Sequence, residues 1–411
     1  MLLTTIALSL IAVSLLWTSS YHAAIYVLSV ARRRSESPKA RCDAAGLSVI
    51  IPAKSEPVDV LERSLGSFSV SSQGIAVEAI LVLDDPIERV GEIVRQLHPV
   101  INRGRITVLA RVNGTYGRNG AIADGMRFSQ GQTLMVIDAD SIVDRELLVE
   151  ASSCCSVCVA RWKPYIVHQT RVEEAMAFLT DYGSWLLYKK RYEAGLFLYP
   201  LGSGTVLSRR LVSAIGYWPT DALQDDIRLG TMLAFYGAKP VLLSSKVRVS
   251  VPATLSAVRV QQSRWAFGTC DVLRRFGKLV LRSSMPLHKK IEAYFYMATP
   301  LASVTSASGL ALGVAAAVVE ARLPLSSVWP ALAVAGLSML VEGFLMRRFA
   351  SEEGWDRKKA VFLMGRVAAL TMLMSPVVAA YALLGLAGVK VPYRITPKSL
   401  ERRRAPDVTV L

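Results

Sequence analysis

The residues of this chain best suited to chemistry are carboxylates at the ends of short apolar runs. Glu56 follows LSVIIP (47–52) within PAKSE, which also puts Pro52 and Ala53 at that run's end. Asp84 and Asp85 follow AILVL (79–83), and Asp138 and Asp140 follow the apolar part of LMVID (134–138). Carboxylates crowded at one edge of a sheet are costly unless a cation or hydrogen-bond donors lie between them. A nucleobase supplies such donors, the imide N–H of uracil or the N1–H and amine of guanine, and these match Asp84 or Asp85. A one-residue spacing puts Asp138 and Asp140 on the same side of an extended strand end, where both reach one hard divalent cation. Taken singly, each pair reads equally well as helix caps.

The second half of the chain adds three further groups. LGSGTVLSRR (201–210) contains Gly204, where a substrate could approach the backbone or the chain could simply turn tightly. LQDDIRLG (223–230) puts Asp225 and Asp226 in a first helical turn, a position that also suits dipole-complementing carboxylates. In QQSRW (261–265), Gln261, Arg264 and Trp265 fall at i, i+3 and i+4 and share a helical face. A guanidinium forks onto phosphate oxygens, and an indole offers a flat apolar surface with one N–H, so such a face could clamp a diphosphate and a sugar. The bland alternative is an interfacial helix with an anchoring tryptophan.

Positioning these groups requires alternating strands and helices. Strands are predicted at 47–52, 79–83, 106–110 and 134–138, with helices at 87–97 and 120–128 between them. That alternation predicts a mostly parallel, Rossmann-like sheet whose ligands bind beyond the strands' carboxyl ends. No glycine-rich dinucleotide fingerprint follows the first strand, which excludes a nicotinamide or flavin cofactor.

The chain has 411 residues, of which 52% are hydrophobic and 19% charged, fewer charged residues than the ~25% of ordinary soluble domains. With a mean hydropathy of +0.36, this composition excludes a disordered chain and fits a globular domain joined to membrane helices. Apolar runs at 2–30, 291–319, 325–346 and 360–388 are each long enough to cross ~30 Å of hydrocarbon. The net charge of +16 gathers beside those runs, at Arg32–Arg34, Arg347–Arg348, Arg357–Lys359 and Arg402–Arg404, as on cytoplasmic flanks and not as on a nucleic-acid surface. No nucleic-acid partner is therefore expected. Five cysteines and four histidines form neither a disulfide framework nor a zinc spacing.

Four crossings predict an integral protein of the cell membrane, with its N-terminus outside and residues 35–285 facing the cytoplasm. They leave one conflict, because the basic tail would then lie outside unless the last run breaks at Pro376 and turns back. The same topology puts Glu342 and Arg366 at similar depth, where they are expected to pair, or Arg366 to meet a lipid phosphate or snorkel to the surface.

In order along the chain, SVIIPAKSE, VLDD, VIDAD, GSGT, QDD and QQSRW resemble glycosyltransferase family 2, in its membrane-integrated, cellulose-synthase-like and hyaluronan-synthase-like branch. The resemblance covers residues 47 to 265. It implies an α/β GT-A fold and inverting transfer from a nucleotide-diphosphate sugar, with Mn²⁺ or Mg²⁺ as cofactor. It places Asp84 and Asp85 near the nucleobase, and Asp138 and Asp140 at the donor diphosphate and its metal. Asp226 takes the base position of the family's TED-type motif, and Gln261, Arg264 and Trp265 match its QxxRW. The motif departs at Gln224-Asp225-Asp226, which leaves open whether Asp225 shares the base role. It departs again at GRNGA, where Arg118 stands for the usual phosphate-contacting lysine.

The implied organisation is an anchor over 1–31, a GT-A domain over 42–253, an interface segment over 254–288, membrane helices over 289–389 and a basic tail over 390–411. One anchor and three further helices are few for enclosing a polymer channel. The expected reaction is therefore transfer of one hexose, from GDP-mannose or a UDP-sugar, to a lipid-linked acceptor such as a polyprenyl-linked glycan. A processive polysaccharide synthase is the alternative, and a non-catalytic nucleotide-sugar sensor or transporter the second.

Overall fold

The computed structural model describes residues 2–32, 46–320, 325–389 and 391. Arg33, Arg34, the basic residues of the tail and Cys42 lie outside the described residues. Helix α1 (Leu2–Arg32) precedes a run of β1 (Leu47–Ala53), α2 (Val58–Ser71), β2 (Val77–Leu83), α3 (Ile87–Gly104), β3 (Ile106–Ala110), α4 (Gly117–Phe128) and β4 (Thr133–Val136). Then come α5 (Arg145–Ser152), β5 (Val157–Tyr165), α6 (Arg171–Ser184), a π-helical turn (Trp185–Lys190) and the short α7 (Arg191–Glu193). They are followed by β6 (Thr205–Ser208), α8 (Arg209–Ile215), α9 (Asp225–Phe235), β7 (Val241–Ser250) and α10 (Leu255–Arg282). The last helices are α11 (Leu287–Ala298), α12 (Ala302–Val319), α13 (Leu325–Glu353) and α14 (Arg357–Ala387).

The seven strands form one mixed sheet in the order β3-β2-β1-β4-β6-β5-β7. The first four are parallel, as their continuous apolar runs require when helices cover both faces. β6 then runs antiparallel between β4 and β5. Pro52 sits in the central strand β1 without breaking it, because pairing with β4 has already ended at Ile50 and Val136. One core packs α2, α3 and α5 on one face, and a second packs α4, α8 and α9 on the other. This is a Rossmann-like GT-A sheet.

Four helical stretches are long and apolar enough to cross a membrane, one N-terminal and three C-terminal: Leu2–Arg32, Leu287–Val319, Val328–Glu353 and Arg357–Ala387. The second is interrupted by a 3-10 turn at Thr299–Leu301, where Pro300 cannot donate to the helical ladder. Pro376 lies inside α14 and does not turn the chain back.

Two sequence expectations change here. Glu342 and Arg366 do not pair: Glu342 accepts from Tyr182 Oη (2.9 Å) and binds His22 Nδ1 (2.8 Å), while Arg366 binds Glu174 (2.7 Å). The reason is that α14 lies against α6 at this point, so Arg366 meets a catalytic-domain carboxylate. Cys154 and Cys158 are joined by a disulfide, which is local and makes no framework.

Candidate active site

The strand ends supply the rim of a cleft. Asp84 and Asp85 follow β2. The first is buried between Arg111 Nη1 (3.1 Å) and Lys54 Nζ (3.2 Å). Arg111, just past β3, is itself fixed by Asp124 (2.9 Å) and the carbonyl oxygens of Thr115 and Gly117. Asp85 Oδ1 accepts the Ser55 N–H (2.9 Å) in the loop that carries Glu56, while its Oδ2 is buried without a partner. Of the two carboxylates, Asp85 therefore has the acceptor capacity to spare.

β4 stops at Val136, and a turn closed by the Ser141 N–H on Asp138 O (2.9 Å) follows. Asp138 and Asp140 are thus separated by a turn and not aligned along an extended strand end, as their spacing predicted. They have different partners. Asp138 Oδ1 accepts from Arg118 at 2.6 and 3.1 Å, and Asp140 accepts from the Ser250 hydroxyl on β7. Arg118, in the first turn of α4, also reaches Asp225 Oδ2 (2.6 Å) and Gly202 O (2.7 Å), so it ties the rim to α9.

Asp225 and Asp226 open α9, and their neighbours separate them. Asp225 Oδ2 is taken by Arg118 and by Trp218 Nε1 (2.7 Å). Asp226 accepts only from neutral donors: Ile227 N–H (2.7 Å), Gln224 Nε2 (2.8 Å) and Gly202 N–H (3.1 Å). Burial, reinforced by the charge of Asp225, pushes the Asp226 carboxyl up to about 7. Tyr188 of the π-helical turn and Tyr296 of α11 lie close enough to feel its charge.

Helix α10 carries Gln261, Arg264 and Trp265, all half-buried. Trp265 packs on Trp162, with centroids 6.2 Å apart, and Trp162 Nε1 donates to Ser203 O (2.8 Å). Gln261 Oε1 is buried with no partner, an acceptor left for a hydroxyl or N–H. α10 reaches α9 because Gly268 has no side chain; a Cβ there would stand 2.7 Å from Gln224 Cβ. Gly204 is needed for the sheet itself, since its φ is +96° and a Cβ would meet Ala160 O at 2.7 Å. That close approach is made by protein backbone.

The donor set suits a hard divalent ion. Asp138 and Asp140 are half-exposed oxygen ligands, and among the described residues no three His, Cys, Asp or Glu side chains gather into a closed cage. Two carboxylates that share an ion with substrate phosphates are the Mg²⁺ type of arrangement, unlike a closed zinc site. Sequence reasoning missed Arg111, Gly202, Ser203, Trp162, Trp218 and Ser250. Only Arg111 carried a signal, as a basic residue at the end of the third parallel strand.

Comparison with known proteins places this geometry. The model described as "Glycosyl transferase family group 2" matches residues 133–346, more than half of the chain, and "Glycosyl transferase family 2" matches residues 48–153. A probable glycosyltransferase of Sulfolobus acidocaldarius is 26% identical over 393 residues, covering 93% of this chain and 84% of that protein. Glucomannan 4-beta-mannosyltransferase 1 of Oryza sativa is 24% identical over 58% of this chain, which spans about half (48%) of that relative's length. The solved mannosyltransferase PcManGT of Pyrobaculum calidifontis, in complex with GDP-Man and Mn²⁺, aligns with a TM-score of 0.59 and 16% identity. The alignment covers 93% of this chain and 100% of that one.

Proposed function

Because this chain belongs to glycosyl transferase family group 2, whose members act on nucleotide sugars, we propose that it moves one hexose, with inversion, to a lipid-linked acceptor at the membrane surface. The observation that carries this reading is Asp226, a buried carboxylate with neutral donors and an affinity for protons raised to about 7. A general base works best when its pKa lies near the working pH. Asp226 takes the proton of the acceptor hydroxyl while that oxygen attacks the anomeric carbon on the face opposite the diphosphate. Asp225 is held in its ion pair and plays no part in that transfer.

The rim binds the donor. Asp85 Oδ2 accepts a nucleobase N–H, and the Arg111–Asp84–Lys54 cluster shapes the wall beside it. Asp138 and Asp140 hold a divalent ion, Mn²⁺ or Mg²⁺, whose charge offsets that gathering on the departing nucleotide. Arg264 faces the diphosphate, and the Trp162–Trp265 pair forms an apolar wall for the sugar. GDP-mannose is the first donor to test, supported by the ligand of the structurally similar PcManGT. The catalytic domain faces the cytoplasm, where nucleotide sugars are made.

The test incubates the membrane-embedded enzyme with radiolabelled GDP-mannose, or a panel of UDP-sugars, plus polyprenyl phosphate and Mn²⁺ or Mg²⁺. Label carried into the organic phase as a single-sugar product supports the reading. A long polymer would replace it with the processive one. No transfer or hydrolysis with any donor would leave a sensor or transporter.

A further inference from the structure

Helix α14 is apolar enough to cross a bilayer, yet both of its ends touch the catalytic domain. At its start, Trp355 Nε1 donates to Asp181 (2.8 Å), and Lys359 and Arg366 both bind Glu174 of α6 (3.1 and 2.7 Å). At its end, Arg274 of α10 donates to Gly385 O (3.3 Å), and a Cβ on Gly385 would lie 2.4 Å from Phe267 O. Between these points Leu363, Val367, Leu370 and Met374 pack with Val258 at the start of α10, and Ala382 packs with Ala266 and Cys270 further along it. α14 thus runs along the helix that bears Gln261, Arg264 and Trp265.

The other membrane helices define the two sides. Glu320, just after α12, accepts the Leu3 N–H (2.9 Å) at the opposite end of α1, which marks the far side. On the catalytic side Arg32 of α1 donates to Ala194 O, and Glu353 of α13 binds Arg161 (2.8 Å) and Lys246 (2.8 Å). The last third of α14 packs on Leu301, which lies at the catalytic-side end of α12 and not at its far end.

We propose that α14 does not cross the bilayer but lies along its catalytic-side surface, wedged between the lipid and α10. Its exposed face is apolar, with Val361, Phe362, Met372, Leu373 and Leu383 between 48% and 69% accessible, and this face rests on lipid. Lys358 and Lys359 at its start and Arg274 and Arg275 beside its end supply positive charge for anionic headgroups. Protein covers one face and lipid the other, which explains why the helix is apolar all round without spanning. The membrane is then crossed three times, and the chain beyond α14 leaves on the catalytic side. This arrangement removes the conflict over the basic tail. It also holds the QxxRW-bearing helix at the lipid surface.

The test is sided cysteine labelling of the full chain in phosphatidylcholine–phosphatidylglycerol vesicles with a membrane-impermeant maleimide, read as signal above the parent chain. Glu92→Cys reports the catalytic side and Leu2→Cys the far side. The proposal expects Val389→Cys, and Val391→Cys as a second probe, to label to the same fraction as Glu92→Cys. Labelling that follows Leu2→Cys at either position would show that α14 spans and would overturn the proposal.

Discussion

On the rim of the cleft Asp84 lies between Lys54 and Arg111 and Asp138 is held by Arg118, whereas on the floor Asp226 accepts hydrogen bonds from neutral groups alone. Carboxylates beside cations stay charged and suit recognition of a donor and its ion. A buried carboxylate without a cation of its own holds its proton more tightly and suits proton transfer. The contrast is sharpest between neighbours in sequence, because Arg118 and Trp218 engage Asp225 while Asp226 turns toward Gly202. One residue of helical offset thus divides a binding role from a chemical one.

The largest expected effect comes from removing the floor carboxylate. Asp226→Asn should lower kcat by about 10²–10⁴-fold while donor affinity, measured by calorimetry, stays within about threefold. If Asp225→Asn abolished transfer and Asp226→Asn did not, the assignment of floor and rim would be reversed. On the rim, Asp140→Asn should weaken nucleotide-diphosphate binding by about 10–100-fold and abolish its stimulation by Mn²⁺, the range seen when metal sites are perturbed. Stimulation that survives in the variant would remove Asp140 from the ion site.

Asp225→Asn sharpens the comparison through pH. The charge of Asp225 raises the Asp226 pKa, so its loss should move the rising limb of the pH–rate profile to lower pH. A limb that stays in place or moves up would contradict the coupling. The smallest effect is expected from Gly268→Val, which pushes α10 from Gln224 across a contact with no room for a Cβ. Overpacking of this kind costs about 1–3 kcal/mol, and the melting temperature should fall with it, while Gly268→Ala should do less harm. Equal melting temperatures for all three chains would mean that the contact is not tight.

Much of this site was legible from residue spacing. The strands at 47–52, 79–83 and 106–110 were recognisable because buried parallel strands read as unbroken apolar runs. The carboxylates at their ends marked the rim. Distance along the chain concealed the partners: Arg118 meets Asp225 across 107 residues, and Ser250 meets Asp140 across 110. The turn at Asp138–Ser141 was missed because VIDAD continues the apolar pattern of β4 for two residues after the ladder has ended. The path of α14 was concealed for another reason. Composition records that a helix avoids water, but not whether lipid surrounds it or lipid and protein share its faces.

The most direct test of the account is the pH dependence of single-turnover transfer with saturating donor and metal. An unprotonated Asp226 is required, and its carboxyl is pushed up to about 7, so the rate should rise with pH through a single limb centred near pH 7 and level off above it. A rate that stays flat from pH 5 to pH 8, with chemistry shown to be the slow step, would contradict the assignment of Asp226 as the base.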